Sequence, residues 1–490
     1  MAGSDLPPGR HLALTWGIAV PYGGMTTALL DRSRLFADAG TPVDVLTLDD
    51  RALPLPPIPG VGAGTSVTIR NLYDWPRSNE VPARLGLPDA PAPLDPEDDG
   101  VISDEARGVL LRRLRLGANG KPVDVDHLRP DGTIALSERR VGTRGRILLA
   151  RDADGRPIRA WRRRYDFYAD WLDHLVGDDE AFLIVDSKTV APFAAGYRRR
   201  RVTTVHVVHG SHRGPTPGSV RASRQAVFSR LADFDAVAFA TEAQAADVRD
   251  IVGPRPFLAS IAHPVSAVDA SALPPESDRT GAVVIARLEP IKRVEDAVAA
   301  MRLVHGHDGD SDGPEVRLDV YGTGSRADEL AALAVDDDAI RFHGHTDDPT
   351  TAMAAASVLL LTSRSEAFGL VLLEAMAAGC LPIAYDIAYG PAELIRDGEN
   401  GWLVPDGDVE ALARAVRAAA EADPARRAAM RRNARATASA YSDARIRHRW
   451  ASVLRTARRR RRILIGQRRL SAAARRLAGG LRRRLRPKHG

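Results

Sequence analysis

Short apolar runs alternate with amphipathic segments over two long stretches of this 490-residue chain, and this alternation limits the possible folds more than any other feature. Near the start, HLALTWGIAV leads through Gly23 and Gly24 into the helical pattern of residues 25–40, and PVDVLTLD follows. A strand, a glycine turn, a helix and a second strand form the first βαβ unit of a doubly wound parallel sheet. The alternation resumes near Tyr168, so this stretch predicts one Rossmann-like domain.

A second set of alternating elements begins at Gly281. GAVVIARL predicts a strand, VEDAVAAMRLV a helix, and VRLDVYGTG a strand that ends in a glycine turn. The chain is longer than one hydrophobic core usually organises. We therefore predict an α/β protein in which two Rossmann-like domains face each other across a cleft.

Between these sets, residues 101–167 have a different pattern. Short alternating runs are separated by Asn-Gly or Asp-Gly dipeptides at 119–120, 131–132 and 154–155, and proline-rich linkers precede them. Turns at this spacing predict an antiparallel β-meander inserted into the N-terminal domain.

The predicted domain boundaries follow from these patterns. We predict an N-terminal domain at 1–275 with a β-rich insertion at about 65–165, and a C-terminal domain at 276–440. A helix at 441–454 is predicted to return to the N-terminal domain, and a basic tail follows at 455–490.

The charge of the chain is concentrated in that tail. From Arg455 onward there are fifteen Lys and Arg residues and no acid, whereas the rest has 54 basic and 63 acidic residues, a net charge of −9. The apolar residues of the tail fit an amphipathic helix on an anionic membrane. An anionic polymer as partner and a disordered, solvated tail are the alternatives. Because the tail lacks interleaved aromatic residues and a recognised nucleic-acid module, no nucleic-acid partner is predicted.

Cysteine and histidine usage gives no sign of a metal. The single cysteine, Cys380, excludes an intramolecular disulfide and fits a buried apolar position. His206, His209 and His212 recur every third residue, but no carboxylate or thiol cluster accompanies them, so we predict no metal site. No run approaches the roughly 18 apolar residues that span a bilayer, and the start lacks the pattern of a signal peptide; a cytoplasmic protein is expected.

Candidate anion-binding residues follow two of the predicted strands. Gly23 and Gly24 precede a helix, where free backbone amides favour an anion, although a simple tight turn would have the same sequence. Arg287 and Lys292 follow GAVVIARL, at the strand end where such folds bind ligands. These two cations are suited to stabilise a diphosphate leaving group without a metal.

Two carboxylates flank the segment SEAFGLVLLE. Glu366 precedes a helix that is predicted to begin near Gly369, and Glu374 lies within it. Eight residues would separate them by roughly 12 Å if the whole span were helical. That distance suits carboxylates at two ends of an elongated ligand, and exceeds the separation of about 5–9.5 Å in ordinary glycosidases.

These motifs together resemble the large family of retaining glycosyltransferases with the GT-B fold. SRSEAFGLVLLEAMAAGCLPIAYD resembles the acidic motif of that family, ARLEPIKR its arginine-to-lysine motif and YGGM its N-terminal glycine loop, in the family's order. The resemblance implies that Arg287 and Lys292 bind the donor diphosphate, that Glu374 holds the ribose, and that Glu366 and His209 lie beside the transferred sugar. The catalytic residues it implies are His209, Arg287, Lys292 and Glu366; the donor-binding residues are Gly23, Gly24, Arg287, Lys292, Gly344, Glu366, Ala367, Phe368, Gly369, Leu370 and Glu374.

A more specific resemblance is to the bacterial wall-teichoic-acid α-glycosyltransferases. It rests on the meander and on the phrases FLIVDS, VVHGSH and AYDIAYGPAELI. It implies transfer of glucose or N-acetylglucosamine from a UDP-sugar, which is a substrate and not a cofactor, to poly(glycerol phosphate) or poly(ribitol phosphate). It also implies a homo-oligomer, such as a trimer, built through the inserted region.

Other acceptors and a non-catalytic role stay open. The acceptor could instead be a lipid-linked sugar, a protein or a small metabolite, since fold and donor motifs do not determine it. A non-catalytic subunit that helps a partner transferase bind its acceptor would be expected to lose donor-binding residues. Because Arg287, Lys292, Glu366 and Glu374 are all present, an enzyme is favoured.

Overall fold

The structure is a computed structural model that divides into two compact units. It describes residues 5–19, 23–50, 55–62, 64–89, 91–106, 108–141, 145–214, 216, 218–269, 271, 273–275, 278–306 and 316–484, with side chains as far as 465. The first unit comprises Met1–Val207, Arg230–Asp235 and Leu454–Gly490, and the second comprises Val208–Ser229 and Ala236–Val453. The predicted domain boundaries stay predictions.

Within the described residues, the first unit contains eleven strands, four helices and the part of the last helix from Leu454 onward, which is described below. They are β1 (Arg10–Thr15), α1 (Gly24–Asp38), β2 (Val43–Thr47), β3 (Val67–Asn71), α2 (Asp74–Arg77), β4 (Val101–Ala106), β5 (Val109–Leu116), β6 (Pro122–Leu128), β7 (Ile134–Val141), β8 (Gly145–Arg151), β9 (Pro157–Trp161), α3 (Arg164–Val176), β10 (Ala181–Val185), α4 (Ala191–Gly196) and β11 (Val202–Val208).

Five of these strands form a parallel sheet in the order β11-β10-β1-β2-β3. Leu12 of β1 lies in register with Leu183 of β10 on one side and Asp44 of β2 on the other. Every residue of β10 is buried, as expected for a parallel strand covered on both faces. The predicted βαβ unit is confirmed, although β1 ends at Thr15 and not at the end of its apolar run.

The inserted meander is also confirmed. Strands β4 to β9 form a six-stranded antiparallel sheet in simple chain order. Its interior contains Glu138, which accepts hydrogen bonds from Tyr73 Oη at 3.1 Å, Arg146 Nη1 at 2.7 Å and Arg164 Nη2 at 2.9 Å. Burial alone would raise the pKa of Glu138, but hydrogen bonding from His127 and the Arg164 charge hold it well below the usual range. These contacts fix the insertion to α3 and to the segment after β3.

The second unit is a further set of alternating elements. They are α5 (Ala222–Phe228), β12 (Ala236–Phe239), α6 (Glu242–Val252), β13 (Leu258–Ser260), β14 (Thr280–Ile285), α7 (Val294–His305), β15 (Leu318–Tyr321), α8 (Ala327–Ala332), β16 (Ile340–Gly344), α9 (Pro349–Ala355), β17 (Ala356–Leu361), α10 (Leu370–Ala377), β18 (Leu381–Asp386), α11 (Pro391–Leu394), β19 (Trp402–Pro405), α12 (Val409–Glu421) and α13 (Pro424–Ser439). Six strands form a parallel sheet in the order β16-β15-β14-β17-β18-β19, and β12 pairs with β13 in parallel.

The last helix, α14 (Asp443–Arg484), runs without a break past Leu454, where the basic tail was predicted to begin. In the part of the chain that the structure describes, no helix is both long and apolar enough to cross a membrane.

Candidate functional site

A glycine turn positions the loop that contains Arg287. This loop follows β14, and the turn at Gly322 and Gly324 follows the neighbouring strand β15. A Cβ atom on Gly322, whose φ is +148°, would lie 1.8 Å from the Ala286 carbonyl oxygen, and one on Gly324 would lie 2.3 Å from that of Leu288. Only glycine allows the two backbones to approach so closely. The sequence predicted the turn but not its contact with the Arg287 loop.

Lys292 and Glu366, predicted to bind different parts of a donor, contact each other. Lys292 ends a 3₁₀ turn over Pro290–Lys292, and its Nζ lies 2.5 Å from Glu366 Oε1. Both side chains are partly buried, with 19% and 15% of their surface exposed. The Thr362 hydroxyl also donates to the Lys292 carbonyl oxygen at 3.0 Å. The structure thus brings a cation and a carboxylate from separate motifs to one point.

Arg293, directly after Lys292, is a residue that the sequence analysis missed. It has left-handed backbone geometry with φ +50°, which is uncommon for a residue other than glycine. Its buried guanidinium donates to Asp406 Oδ1 at 2.5 Å and lies 5.0 Å from the centre of the Tyr385 ring. These contacts stabilise the left-handed backbone conformation of Arg293, which costs about 1–3 kcal/mol. They thereby fix the direction in which the side chain of the adjacent Lys292 extends from the backbone.

The predicted acidic loop comprises Glu366, Ala367, Phe368 and Gly369, and it leads into α10 at Leu370. Gly369 has φ +80° and directly precedes α10. The free backbone amides at the N-terminus of this helix favour an anion.

Glu374 lies inside α10, as predicted, whereas Glu366 lies outside the helix. The span between them is therefore not fully helical, and the separation of roughly 12 Å deduced for a continuous helix does not apply.

His209 contacts the acidic loop through a second histidine. It directly follows β11, and its ring stacks on that of His263 with 6.1 Å between ring centres. His263 in turn meets the Phe368 ring edge-on at 5.8 Å. The structure thus connects His209 to the loop of Glu366, and His263 is a neighbour that the sequence analysis did not identify.

The loop after β18 packs closely against the same acidic loop. A Cβ atom on Gly390, whose φ is +99°, would lie 2.1 Å from the Phe368 carbonyl oxygen. The adjacent Tyr389 Oη donates to Asp247 Oδ2 at 2.5 Å, and Arg213 Nε lies 3.0 Å from the same hydroxyl oxygen. None of these contacts was predicted, because they join residues up to 176 positions apart.

His212 is buried beside this cluster. Its ring stacks between those of Phe228, at 5.4 Å, and Tyr389, at 5.8 Å. Burial lowers its pKa to about 4, so the imidazole is neutral near pH 7.

The remaining predicted glycines lie at strand or helix ends. Gly344 ends β16 and its carbonyl oxygen accepts from Gly322 N at 2.6 Å, which connects it to the turn behind Arg287. Gly23 and Gly24 begin α1 in the first unit and are exposed. Tyr22 of the YGG motif lies outside the described residues.

Three arginines surround an open depression beside the Lys292 turn. Arg287, Arg326 and Arg364 line it, and its volume is about 630 Å³. Arg326 Nη1 is paired with Glu295 at 2.8 Å. The depression gives an anion direct access to the Arg287 side chain, which is exposed.

Among the residues whose side chains are described, no group of three or more His, Cys, Asp and Glu is placed to hold a metal ion. His206 Nδ1 bonds to the Val185 carbonyl oxygen at 2.9 Å inside the first unit.

Comparison with known proteins relates this geometry to one family. Residues 269–437, which contain Arg287, Lys292, Glu366 and Glu374, match the family described as "Glycosyl transferases group 1".

Two curated relatives act on different acceptors. The chain is 30% identical over 214 residues to the poly(glycerol-phosphate) alpha-glucosyltransferase of Bacillus subtilis, which covers 43% of this chain and 31% of the relative. It is 36% identical over 155 residues to the GtfA subunit of the UDP-N-acetylglucosamine–peptide N-acetylglucosaminyltransferase of Streptococcus gordonii, over 31% of this chain and 29% of the relative. The chain thus spans under a third of each relative's length.

A solved structure extends the likeness to nearly the whole chain. A mutant of S. aureus TarM in complex with fondaparinux, alpha-GlcNAc-glycerol and UDP superposes with a TM-score of 0.67 at 18% identity, covering 91% of this chain and all of TarM. The fold is therefore GT-B with an inserted antiparallel sheet, as predicted.

Proposed function

We propose that this chain, which carries a group 1 glycosyltransferase domain on a GT-B fold, is a retaining glycosyltransferase that transfers glucose or N-acetylglucosamine from a UDP-sugar to a polyol-phosphate polymer such as wall teichoic acid. The observation that carries the proposal is the contact between Lys292 Nζ and Glu366 Oε1 at 2.5 Å. A cation that binds the diphosphate and a carboxylate that binds the sugar have to lie next to each other at the place where the sugar–phosphate bond is broken, and this pair meets that requirement.

The reaction follows from these positions. The bond between the anomeric carbon and the terminal phosphate oxygen of the donor breaks, and a bond from the same carbon to an acceptor hydroxyl oxygen forms on the same face. The hydroxyl proton is released, and the diphosphate leaves with additional negative charge. Arg287 and Lys292 stabilise that charge, Glu366 and His209 bind the sugar, and Glu374 binds the ribose.

The reaction as proposed requires no metal and no cofactor. In this proposal Arg287 and Lys292 supply two positive charges at the diphosphate, where enzymes that depend on magnesium hold the ion.

The acceptor assignment is supported by the relative that glucosylates poly(glycerol phosphate) and by the TarM complex with alpha-GlcNAc-glycerol. A peptide is the second candidate, because the S. gordonii relative is a peptide N-acetylglucosaminyltransferase subunit.

We further propose a homo-oligomer, such as a trimer, that forms through the inserted sheet. Its edge strands are β4 and β9, and the exposed Ile102 lies on β4. Exposed strand edges pair readily with copies of themselves. Light scattering that finds monomers at micromolar concentration would refute this proposal.

We also propose a cytoplasmic enzyme with peripheral contact to the anionic inner face of the membrane through the basic residues after Arg455. Of the fifteen cations from Arg455 onward, Arg458, Arg461 and Arg462 are paired with acids of the first unit. The remaining ones supply the attraction, and each contributes about 1 kcal/mol close to such a surface.

The test is a product analysis with purified full-length protein. UDP-glucose and UDP-N-acetylglucosamine are each incubated with a glycerol-phosphate oligomer, a ribitol-phosphate oligomer and a serine-rich peptide, and mass spectrometry detects the sugar added. We expect a hexose or N-acetylhexosamine on a polyol phosphate, with the α configuration of the donor retained in NMR spectra. A glycosylated peptide alone would favour the second candidate, and the absence of transfer to all three would refute the proposal.

A further inference from the structure

The beginning of the basic tail is part of the folded first unit. Within α14, Arg461 is buried and its Nη1 lies 3.1 Å from Asp235 Oδ2. One turn away, Arg458 Nη1 and Arg462 Nη2 lie 3.3 Å and 2.5 Å from the two carboxylate oxygens of Glu180. Three tail arginines thus fix the helix to two acids of the same unit, so this part of the tail has a defined position.

A cavity of about 260 Å³ lies between this helix and the segment that precedes β11. That volume is far larger than the roughly 10–15 Å³ that one water molecule requires. Nine residues line it: Arg198, Arg199, Arg200, Ala232, Phe234, Asp235, Arg461, Leu464 and Ile465. Four arginines and one aspartate give the lining a net charge of +3.

The positive charge of this cavity is not fully neutralised. Asp235 is already bound by Arg461 and accepts from Thr204 N at 2.8 Å, and Arg199 is paired with Asp173. Arg198 is paired with Asp233 at 3.6 Å and lies 3.8 Å from Asp235. Arg200 is exposed and forms no ion pair with any residue that the structure describes. The cavity therefore has an unpaired guanidinium available for an anion.

The other half of the cavity surface is apolar and continues onto exposed apolar side chains. Phe234, Leu464 and Ile465 line the cavity. The side chains of Leu464 and of its neighbour Ile463 are also 44% and 50% exposed to solvent. Large aliphatic side chains next to arginines on one helix are typical of helices that lie in a membrane interface. A polyol-phosphate polymer has no apolar part to cover them, whereas a phospholipid has both a phosphate and acyl chains.

We propose that this cavity is a docking site for an anionic phospholipid, with the lipid phosphate bound by Arg200 and with Ile463 and Leu464 among the ends of the acyl chains. The site would hold the first unit on an anionic leaflet. This inference rests on the proposed peripheral location and is independent of the proposed sugar transfer.

The test is flotation of the full-length protein with vesicles of phosphatidylcholine containing 30% phosphatidylglycerol, and with phosphatidylcholine alone. We expect binding to the anionic vesicles only. Arg200→Glu should lower the partition coefficient at least about tenfold, since each basic residue near an anionic leaflet contributes a factor of about five and the substitution also adds a negative charge. The double variant Ile463→Ser/Leu464→Ser should also weaken binding, because it removes the apolar contact.

Arg162→Glu is the matched control. Arg162 is an exposed arginine of the same unit outside the cavity, and the substitution changes the net charge by the same amount. We expect it to lower partition less than about threefold. Equal losses for Arg200→Glu and Arg162→Glu would overturn the docking site and leave a diffuse attraction by net charge. Melting temperatures of all variants must match that of the unchanged protein, and Arg200→Gln replaces Arg200→Glu if they do not.

Two further measurements distinguish a phospholipid from other ligands of the cavity. Inorganic phosphate at constant ionic strength should compete only weakly, because it lacks acyl chains; full competition together with no effect of the serine double variant would assign the cavity to soluble phosphate. Binding of poly(glycerol phosphate) that Arg200→Glu abolishes, with vesicle binding unchanged, would assign it to the polymer. Full-length protein that does not float with anionic vesicles would refute both the docking site and the peripheral location, but not the transferase activity.

Discussion

Lys292 Nζ lies 2.5 Å from Glu366 Oε1, so the cation of one motif pairs with the carboxylate of another. In the proposed reaction the donor has to separate this pair, because the diphosphate binds the lysine and the sugar hydroxyls bind the glutamate. Each residue then exchanges its partner for a group of the donor, and these new contacts offset the cost of separating the pair.

Replacing Lys292 or Arg287 by alanine should lower kcat at least about a hundredfold, because each substitution removes a charge that stabilises the leaving diphosphate. Steady-state kinetics with the UDP-sugar identified by product analysis measures this. Lys121→Ala, in the turn between β5 and β6, is the control for loss of a lysine and should change nothing. Unchanged kcat in both Arg287→Ala and Lys292→Ala would eliminate the leaving-group assignment.

Glu374→Ala should mainly raise the donor KM, with a much smaller effect on kcat. Ribose hydroxyls are bound equally in the ground state and the transition state, so losing this contact removes uniform binding. Titrating the donor at saturating acceptor separates the two constants. A large fall in kcat at unchanged KM would show that Glu374 acts on the reacting bond and not on the ribose.

Gly322→Ala should displace the loop of Arg287 and lower kcat/KM by at least about tenfold, because the new Cβ would collide with the Ala286 carbonyl oxygen. Gly253→Ala is the matched control: φ is +73° there, but no atom lies within 4 Å of the added carbon. Both variants should lose stability in urea unfolding from backbone strain. Equal activity in the two would show that the Arg287 loop does not depend on the glycine turn.

Activity should survive EDTA. The two fixed cations replace a metal in the proposed reaction, so chelation removes nothing that it requires. Turnover measured before and after dialysis against the chelator tests this. A loss that magnesium or manganese restores would contradict the proposed role of Arg287 and Lys292.

The buried His212 should make the protein less stable in mild acid. Its pKa is about 4 when folded and near 6.5 when unfolded, so the unfolded chain takes up the extra proton between these values and stability falls as the pH decreases from about 6.5 to 4. At pH 5 this loss amounts to about 2 kcal/mol. His212→Phe keeps the ring between Phe228 and Tyr389 but cannot titrate.

The free energy of unfolding in urea at pH 7.5 and pH 5.0 measures the difference. The decrease between the two pH values should be smaller by about 2 kcal/mol in His212→Phe than in the unchanged protein. An identical decrease in both would mean that His212 is protonated in the folded protein.

The sequence was sufficient where the determining interactions are local. Apolar periodicity predicted β1, α1, β2, the meander and most of the second parallel sheet, because strand and helix periods are properties of neighbouring residues. The Arg287 loop and the helix of Glu374 were found in the same way.

The features that the sequence did not predict depend on contacts between segments that are distant in the chain. The left-handed backbone of Arg293 is held by Asp406, more than a hundred residues away, and Tyr389 meets Asp247 across 142 residues. Neither periodicity nor a motif reports such pairs. The packing of Arg461 on Asp235 was missed for the same reason, because a run of arginines has the composition of a solvated tail.

The contact of Gly390 with the Phe368 carbonyl oxygen limits which sequences the proposed donor-binding loop can accept. Since the backbone behind Phe368 has no free space, a library that randomises residues 366–369 should return functional clones with new side chains at Glu366 or Ala367. Clones with insertions or prolines in that segment should be recovered only when residues 389–391 change as well. The two loops would therefore have to evolve together, although 21 positions of sequence separate Phe368 from Tyr389.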